Sequence, residues 1–350
     1  MTQSYMAFRI IGMAIDPIHV GTGGARLGRV DLSIVRDPVT RVPKIPGSSL
    51  AGVCRAYAAM DQQEKNPSRQ VNGKPKPYYP DCAGQGQPDK TGQGDHCGRP
   101  DCPVCTVFGF ARGAGGGFAG LAAFSDAHVL LFPVATREGP MWVTCPDALR
   151  RIGHEITTEL DDAVYQQNGR TEPLNLGWLL LKRNNTLPHG SQWPSLNLGI
   201  PPYITRRVLI VSDKLFPHIV NSNLEVRTSV SIKPETGAAE EGALFSYEAL
   251  PRATVLVWDV ICKNPKHFQV GGSNVSAQVN GQPIDAPDKV IEVVKFAHPY
   301  LEHLGIGGMG TRGMGRIQVL SCDPAATSQQ AQAAQADQDQ GSANTAQEAQ

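Results

Sequence analysis

Residues 253–262 read ATVLVWDVIC, a run of β-branched and aromatic residues with only weak alternation. Such a run predicts a strand buried on both faces near the middle of a sheet. Upstream, residues 227–251 (RTSVSIKPETGAAEEGALFSYEALP) form two extended arms around a turn at 235–237, the pattern of a β-hairpin. Downstream, residues 287–304 are amphipathic with helical spacing, and a glycine-rich loop separates them from RIQVLS, read as a last strand. Further out, AFRIIGMAID at 7–16 predicts a buried strand running into a long loop, and Leu50, Val53, Cys54 and Tyr57 recur at helical spacing behind Ser48 and Ser49, read as a serine N-cap. Residues 120–135 predict a strand pair or one bent strand, 145–156 a short helix, 204–212 a strand and 213–220 a helix. Strand, helix, strand, hairpin, strand, helix, strand predicts an α+β chain built on a ferredoxin-like sheet. Two insertions interrupt it, at 61–105 and at about 160–202, the second read as irregular because it is rich in Asn, Gly and Pro. The Ala-, Gln-, Ser- and Asp-rich residues 323–350 predict a disordered tail, leaving 1–322 as one domain.

The chain has 350 residues, 41% of them hydrophobic, enough for a proper core. Its 32 basic and 32 acidic residues cancel, so total charge gives no nucleic-acid signature. Residues 1–55, however, hold seven Lys/Arg (Arg9, Arg26, Arg29, Arg36, Arg41, Lys44, Arg55) against three acids (Asp16, Asp31, Asp37), and any nucleic-acid surface is expected there. No apolar run approaches the roughly 20 residues that span a bilayer, so a cytoplasmic protein without membrane contact is expected. The eight cysteines are then read as thiols or metal ligands rather than disulfides.

Cys102 and Cys105 form a C-x2-C pair, with Cys97 nearby, His96 beside it and Cys82 upstream. Zn²⁺ takes four soft or borderline ligands in a tetrahedron. Cys82 is preferred as fourth ligand, with His96 the alternative, because a residue adjacent to another ligand rarely reaches the same ion. Four protein ligands leave no open position, so a structural zinc is expected; unpaired loop thiols are the bland alternative. The loop GIGGMGTRGMGR at 305–316 lies between a helix and a strand, the reverse of the dinucleotide-binding order. Its glycines Gly307, Gly308, Gly310 and Gly313 permit close backbone approach to a phosphodiester, with Arg312 and Arg316 adding charge; a flexible turn reads the same. PGSSLAG at 46–52, at a helix start, is equally an anion site or an ordinary cap.

Taken in order, HVGTG at 19–23, GRVDLSIVRDPVTRVPKIPGSSLAG at 28–52, CPVCTVFG at 102–109, SDAHVLLFPV at 125–134, TGAAEEGALFSYEALP at 236–251 and the glycine-rich loop resemble the RAMP superfamily, and within it the repeated backbone subunit of type III CRISPR effectors. LLFPV followed by WVTCP is similar to the Cmr branch, the cysteine knuckle and the hairpin to the Csm branch. Ala51 departs from the family, which usually has Lys there. The resemblance implies a ferredoxin-like (RRM-like) palm with a β-hairpin thumb and a zinc-knuckle insertion. It implies copies stacked in a filament with other effector subunits on guide CRISPR RNA, and cleavage of target RNA with Mg²⁺ or another divalent cation. It also implies a catalytic role for Asp31, with Arg29 and Arg36 beside it and His19 a weaker acid/base candidate. Lys44, Ser48, Ser49, Arg55 and Arg227 join the glycine-rich loop as expected RNA contacts. A non-cutting scaffold and a guide-processing ribonuclease with a His or Tyr base are the competing readings.

Overall fold

The computed structural model describes residues 3–23, 30–84, 96–111, 116–167, 170–188, 190–240 and 242–325. Strand β1 (Tyr5–Ala14) leads through a long loop to the short β2 (Lys44–Ile45) and then α1 (Gly47–Lys65). Small hairpin strands β3 (Gln70–Val71) and β4 (Lys74–Pro75) precede α2 (Pro103–Phe108). Then follow β5 (Ala122–Phe124), β6 (Ala127–Thr136), β7 (Gly139–Thr144) and α3 (Pro146–Arg150). The second insertion holds β8 (Ala163–Tyr165), β9 (Leu174–Leu176) and β10 (Leu179–Asn184), and the chain continues through α4 (Pro202–Thr205), β11 (Val208–Ile210) and α5 (Phe216–Ser222). The hairpin strands β12 (Glu225–Ser229) and β13 (Phe245–Ala249) come before β14 (Val255–Lys263). Two small hairpins, β15 (Gln269–Val270) with β16 (Ser273–Asn274) and β17 (Gln278–Val279) with β18 (Gln282–Pro283), lead to α6 (Pro287–Lys295), α7 (His298–His303) and β19 (Ile317–Pro324).

The main sheet runs β19-β1-β14-β6-β7-β11-β8-β10-β9. Each of its first four strands is antiparallel to its neighbours among them; counted in chain order they lie fourth, first, third, second, with α1 and α6 packed together over them. β14 is central, as ATVLVWDVIC predicts, flanked by β1 and β6. Arg9 and Asp259 face each other across β1 and β14 and form an ion pair of 3.2 Å. A Cβ at Gly12 would meet the Trp258 ring at 2.8 Å, so glycine here is what lets the indole lie across β1.

Four expectations are corrected. α1 runs on to Lys65, past the expected start of the first insertion, because Ala58, Ala59 and Gln62 are buried. Residues 160–202 are not irregular: β8 to β10 extend the sheet. The expected single helix at 287–304 is two, α6 and α7. Finally, β19 reaches Pro324, pairing Asp323 with Arg9, so the first two residues assigned to the tail are sheet; residues 326–350 lie outside the described residues.

Candidate functional site

The inner edge of the hairpin gathers the loop after β1. Leu32 makes a parallel bridge to Tyr247: its N–H donates to Ser246 O (3.1 Å), and its carbonyl accepts from Glu248 N (3.0 Å). That register sets exposed Asp31 against Ser246. Asp31 Oδ2 accepts from Ser246 N (2.7 Å) and Ser246 Oγ (2.9 Å), while Asp31 N donates to Ser246 Oγ (3.3 Å). These bonds, the backbone one first, hold the carboxyl below its usual range. Asp31 is therefore an anion at neutral pH, a poor proton acceptor, and suited to orienting a hydroxyl or holding a cation.

Two residues expected beside it face inward. Arg36 donates to Glu248 Oε2 (2.8 Å), Asn221 Oδ1 (2.8 Å) and Ile34 O (3.0 Å). His19 is only 5% exposed; its Nδ1 donates to Glu248 O (2.6 Å), and its ring sits edge-on to Tyr247. Both residues shape the loop that carries Asp31 rather than presenting a charge or a proton relay to solvent. Arg29 lies outside the described residues.

The glycine-rich loop packs on the same hairpin base. Met314 is buried with Tyr247 and Ala249, and Leu32, Phe245 and Met309 pack against them. Its glycines divide into two kinds. Gly307 has φ +88° and lies so close to the His19 carbonyl that a Cβ would collide with it, and the next N–H, of Gly308, donates to that carbonyl (2.8 Å). Gly310 and Gly313 face open space. Between them exposed Arg312 lies over the Phe245 ring at 5.5 Å, whereas Arg316 is paired with Asp16 (2.5 and 3.2 Å). Arg227 on β12 is held by Glu225 (2.6 Å).

At the start of α1 the expected serine cap is absent. Pro46 occupies the N-cap position, and Gly47 N donates to Asp126 Oδ1 (2.8 Å). Lys44 binds the other oxygen of Asp126 (2.6 Å) and lies 3.8 Å from Asp37. Asp126 thus serves as an internal anion on the helix dipole, leaving Ser48 exposed and Ser49 half-buried in the first turn. A Cβ at Gly47 would meet Phe124 O at 2.6 Å, which explains the glycine.

Cys82, Cys97, Cys102 and Cys105 converge, with all four Sγ atoms within 4.8 Å of one another. The Cys97–Cys105 and Cys82–Cys102 separations are 3.6 and 4.0 Å, bracketing the about 3.8 Å edge of a tetrahedron with Zn–S bonds of about 2.3 Å. The cluster can hold a metal. His96 is not in it: its Nδ1 is bound by Arg55 Nη2. Arg55 is buried, not an RNA-facing cation; its other donors reach Cys82 O (2.7 Å) and Gly109 O (2.5 Å). Arg69, stacked on Tyr78, donates to Cys97 Sγ (3.1 Å) and lies 3.9 Å from Cys82 Sγ, supplying positive charge to the thiolate cluster. Ser246, Glu248, Asp126 and Arg69 are the residues that sequence reasoning passes over. The first three lie inside quoted motifs, but their partners are distant in the chain; Arg69 carries no motif at all.

Comparison with known proteins assigns the chain to a family. A family model described as the RAMP superfamily matches residues 13–318. The CRISPR system Cmr endoribonuclease Cmr4 of Pyrococcus furiosus is 24% identical over 303 residues, 75% of this chain and 90% of that protein. The CRISPR system Cms endoribonuclease Csm3 of Enterococcus italicus is 41% identical over a local stretch of 59 residues, 16% of this chain and 28% of the relative. Among solved structures, a chain of the type III-B Cmr-beta complex bound to cognate target RNA is similar in fold, with a TM-score of 0.57 and 16% identity, over 91% of this chain and 98% of that one. With the family model matching most of its length, the chain belongs to the RAMP superfamily.

Proposed function

We propose that this chain is a backbone subunit of a type III CRISPR effector, which binds guide RNA and cuts complementary target RNA at Asp31. The β1, α1, β6, β14, α6, β19 unit is its ferredoxin-like palm, and β12 with β13 is the thumb. Both relatives are endoribonucleases by name, which supports RNA cleavage, and the match along nearly the whole of Cmr4, against a short local match to Csm3, favours the Cmr branch. One observation carries the assignment of Asp31: its carboxylate is exposed and ionised, and the thumb strand that holds it also packs, through a shared apolar cluster, on the 305–316 loop.

RNA carries its own nucleophile, the 2′-hydroxyl, so the protein's task is positioning and charge stabilisation. Asp31 orients that hydroxyl, and Arg312, Gly310 and Gly313 meet the backbone phosphates. Exposed Ser48 at the helix start is a second contact. Among the described residues no group of three His, Cys, Asp or Glu other than the four cysteines is placed to hold a metal. A Mg²⁺ ion that neutralises phosphate charge would therefore rest on Asp31, RNA oxygens and water. The four cysteines hold Zn²⁺ as a closed structural site that ties the first insertion to α1.

The test is target-RNA cleavage by the guide-loaded complex with divalent cation, wild type against Asp31→Ala at matched RNA binding. Loss of cutting at the sites served by this subunit is expected. Undiminished cutting would make the chain a scaffold.

A further inference from the structure

The geometry assigns Ser246 as the residue that positions the Asp31 carboxylate, so that one oxygen is held by the thumb and the other is presented outward. This rests on the reading of Asp31 as the cleaving carboxylate. Three hydrogen bonds join the two residues, and they are reciprocal. The serine N–H and hydroxyl both point at Oδ2, and the hydroxyl oxygen takes the aspartate N–H in return. Oδ1 has no hydrogen-bond partner among the described residues. A loop aspartate ordinarily samples several χ1 and χ2 wells; two donors on one oxygen select a single well.

The anchor is itself rigid. Ser246 is a strand residue paired with Thr228 of β12, and its carbonyl accepts from Leu32 N at 3.1 Å. Two positions along the same strand, buried Glu248 accepts from Arg36 Nη2 at 2.8 Å and from Ile34 N at 3.4 Å. Alternate residues of β13 therefore grip the loop at two points, one at the carboxylate and one three residues beyond it. β13 thereby fixes the offset between the hairpin and the Asp31 carboxylate.

Because the serine acts through the aspartate, its removal lowers the chemical step and leaves RNA binding alone. The hydroxyl bond is also one of the contacts that hold the Asp31 carboxyl acidic, so losing it moves the acid limb of the rate profile to higher pH. Single-turnover cleavage by the assembled guide-loaded complex at saturating target is measured for Ser246→Ala, Ser246→Thr, Asp31→Ala and the double variant, with RNA affinity measured alongside. Ser246→Ala is expected to slow cleavage about tenfold at unchanged affinity, with its acid limb raised. Ser246→Thr, which keeps the hydroxyl on a strand position, is expected to stay within about twofold of wild type. The double variant is expected to be no slower than Asp31→Ala, since positioning has no effect once the carboxylate is gone. If Ser246→Ala cuts like wild type while Asp31→Ala does not, the inference fails and the assignment of Asp31 survives. A double variant slower than Asp31→Ala by the same factor as the single serine change would give Ser246 a role independent of Asp31 and overturn the positioning. If Asp31→Ala itself cuts normally, the underlying reading of the site fails first.

Discussion

Replacing Arg55 by Met keeps an unbranched apolar stem in the same space and removes only the guanidinium. Three hydrogen bonds disappear, to Cys82 O, Gly109 O and His96 Nδ1, and two buried carbonyls and a ring nitrogen lose this donor. At about 1.5 kcal/mol for each bond from a charged donor, the loss is about 4.5 kcal/mol. A chain of this size changes its melting temperature by about 2 °C per kcal/mol, so a fall of roughly 9 °C is expected. The same change removes a cation next to four thiolates, so metal should leave sooner under a chromogenic chelator. Circular-dichroism melting of the metal-loaded chain, with metal release followed in parallel, reads both effects. RNA affinity, measured well below the melting transition, should not change. A loss under about 1 kcal/mol, or weakened RNA binding at an unaltered melting temperature, would return Arg55 to the RNA surface and refute its role as the tie between α1 and the knuckle.

Cys102→Ser should reduce bound zinc below one equivalent and expose the 66–84 segment to limited proteolysis, and stoichiometric zinc in that variant would argue against the four-cysteine set. Gly307→Ala forces a Cβ onto the His19 carbonyl at a positive φ; a destabilisation of about 2–4 kcal/mol in urea unfolding is expected, and a change below about 0.5 kcal/mol would show that the loop yields freely. Burial, helped by the Lys295 cation, pushes His298 down to about 4. The folded state then holds this ring neutral while the unfolded chain protonates near pH 6.5, so its contribution is complete above about 6.5 and is lost as pH falls toward 4, at most about 3 kcal/mol. Urea unfolding of His298→Leu should show a shallower decline over that window, and an identical slope would locate the pH dependence elsewhere.

The antiparallel core of the sheet is legible in the sequence where strands are long and apolar. ATVLVWDVIC becomes the central β14 because β-branched residues on both faces suit a doubly covered strand. The second insertion is less legible: β8 and β9 are three residues each, too short for a period of two to stand out from the Asn, Gly and Pro around them. The four cysteines are legible because metal chemistry demands specific atoms at short spacing. Arg55 misleads for the opposite reason. A count of charges along residues 1–55 carries no direction, and one position after Cys54 on α1 the side chain points into the knuckle. Ser246 and Asp126 act on partners 215 and 79 residues away, and hydroxyls and carboxylates of that kind are indistinguishable from solvated ones until the chain is folded.

The second insertion meets the rest of the sheet through little strand pairing, although its buried side chains join the main core. Backbone pairing between β8 and β11 is limited to Tyr165 and Ile210, while the buried Arg183 guanidinium reaches across to Glu138 at 2.7 Å. Elements tied by few backbone bonds open locally before the whole structure does, here against the side chains of Val164, Leu174 and Leu176 that share the main core. Amide protons of β8 to β10 should exchange by a local opening well below the global unfolding free energy, with Arg183 and Glu138 as the latch that sets its rate. The β19-β1-β14-β6 strands and the β12–β13 hairpin would then keep their geometry while this lobe breathes, so that motion in the insertion leaves the Asp31–Ser246 contact undisturbed.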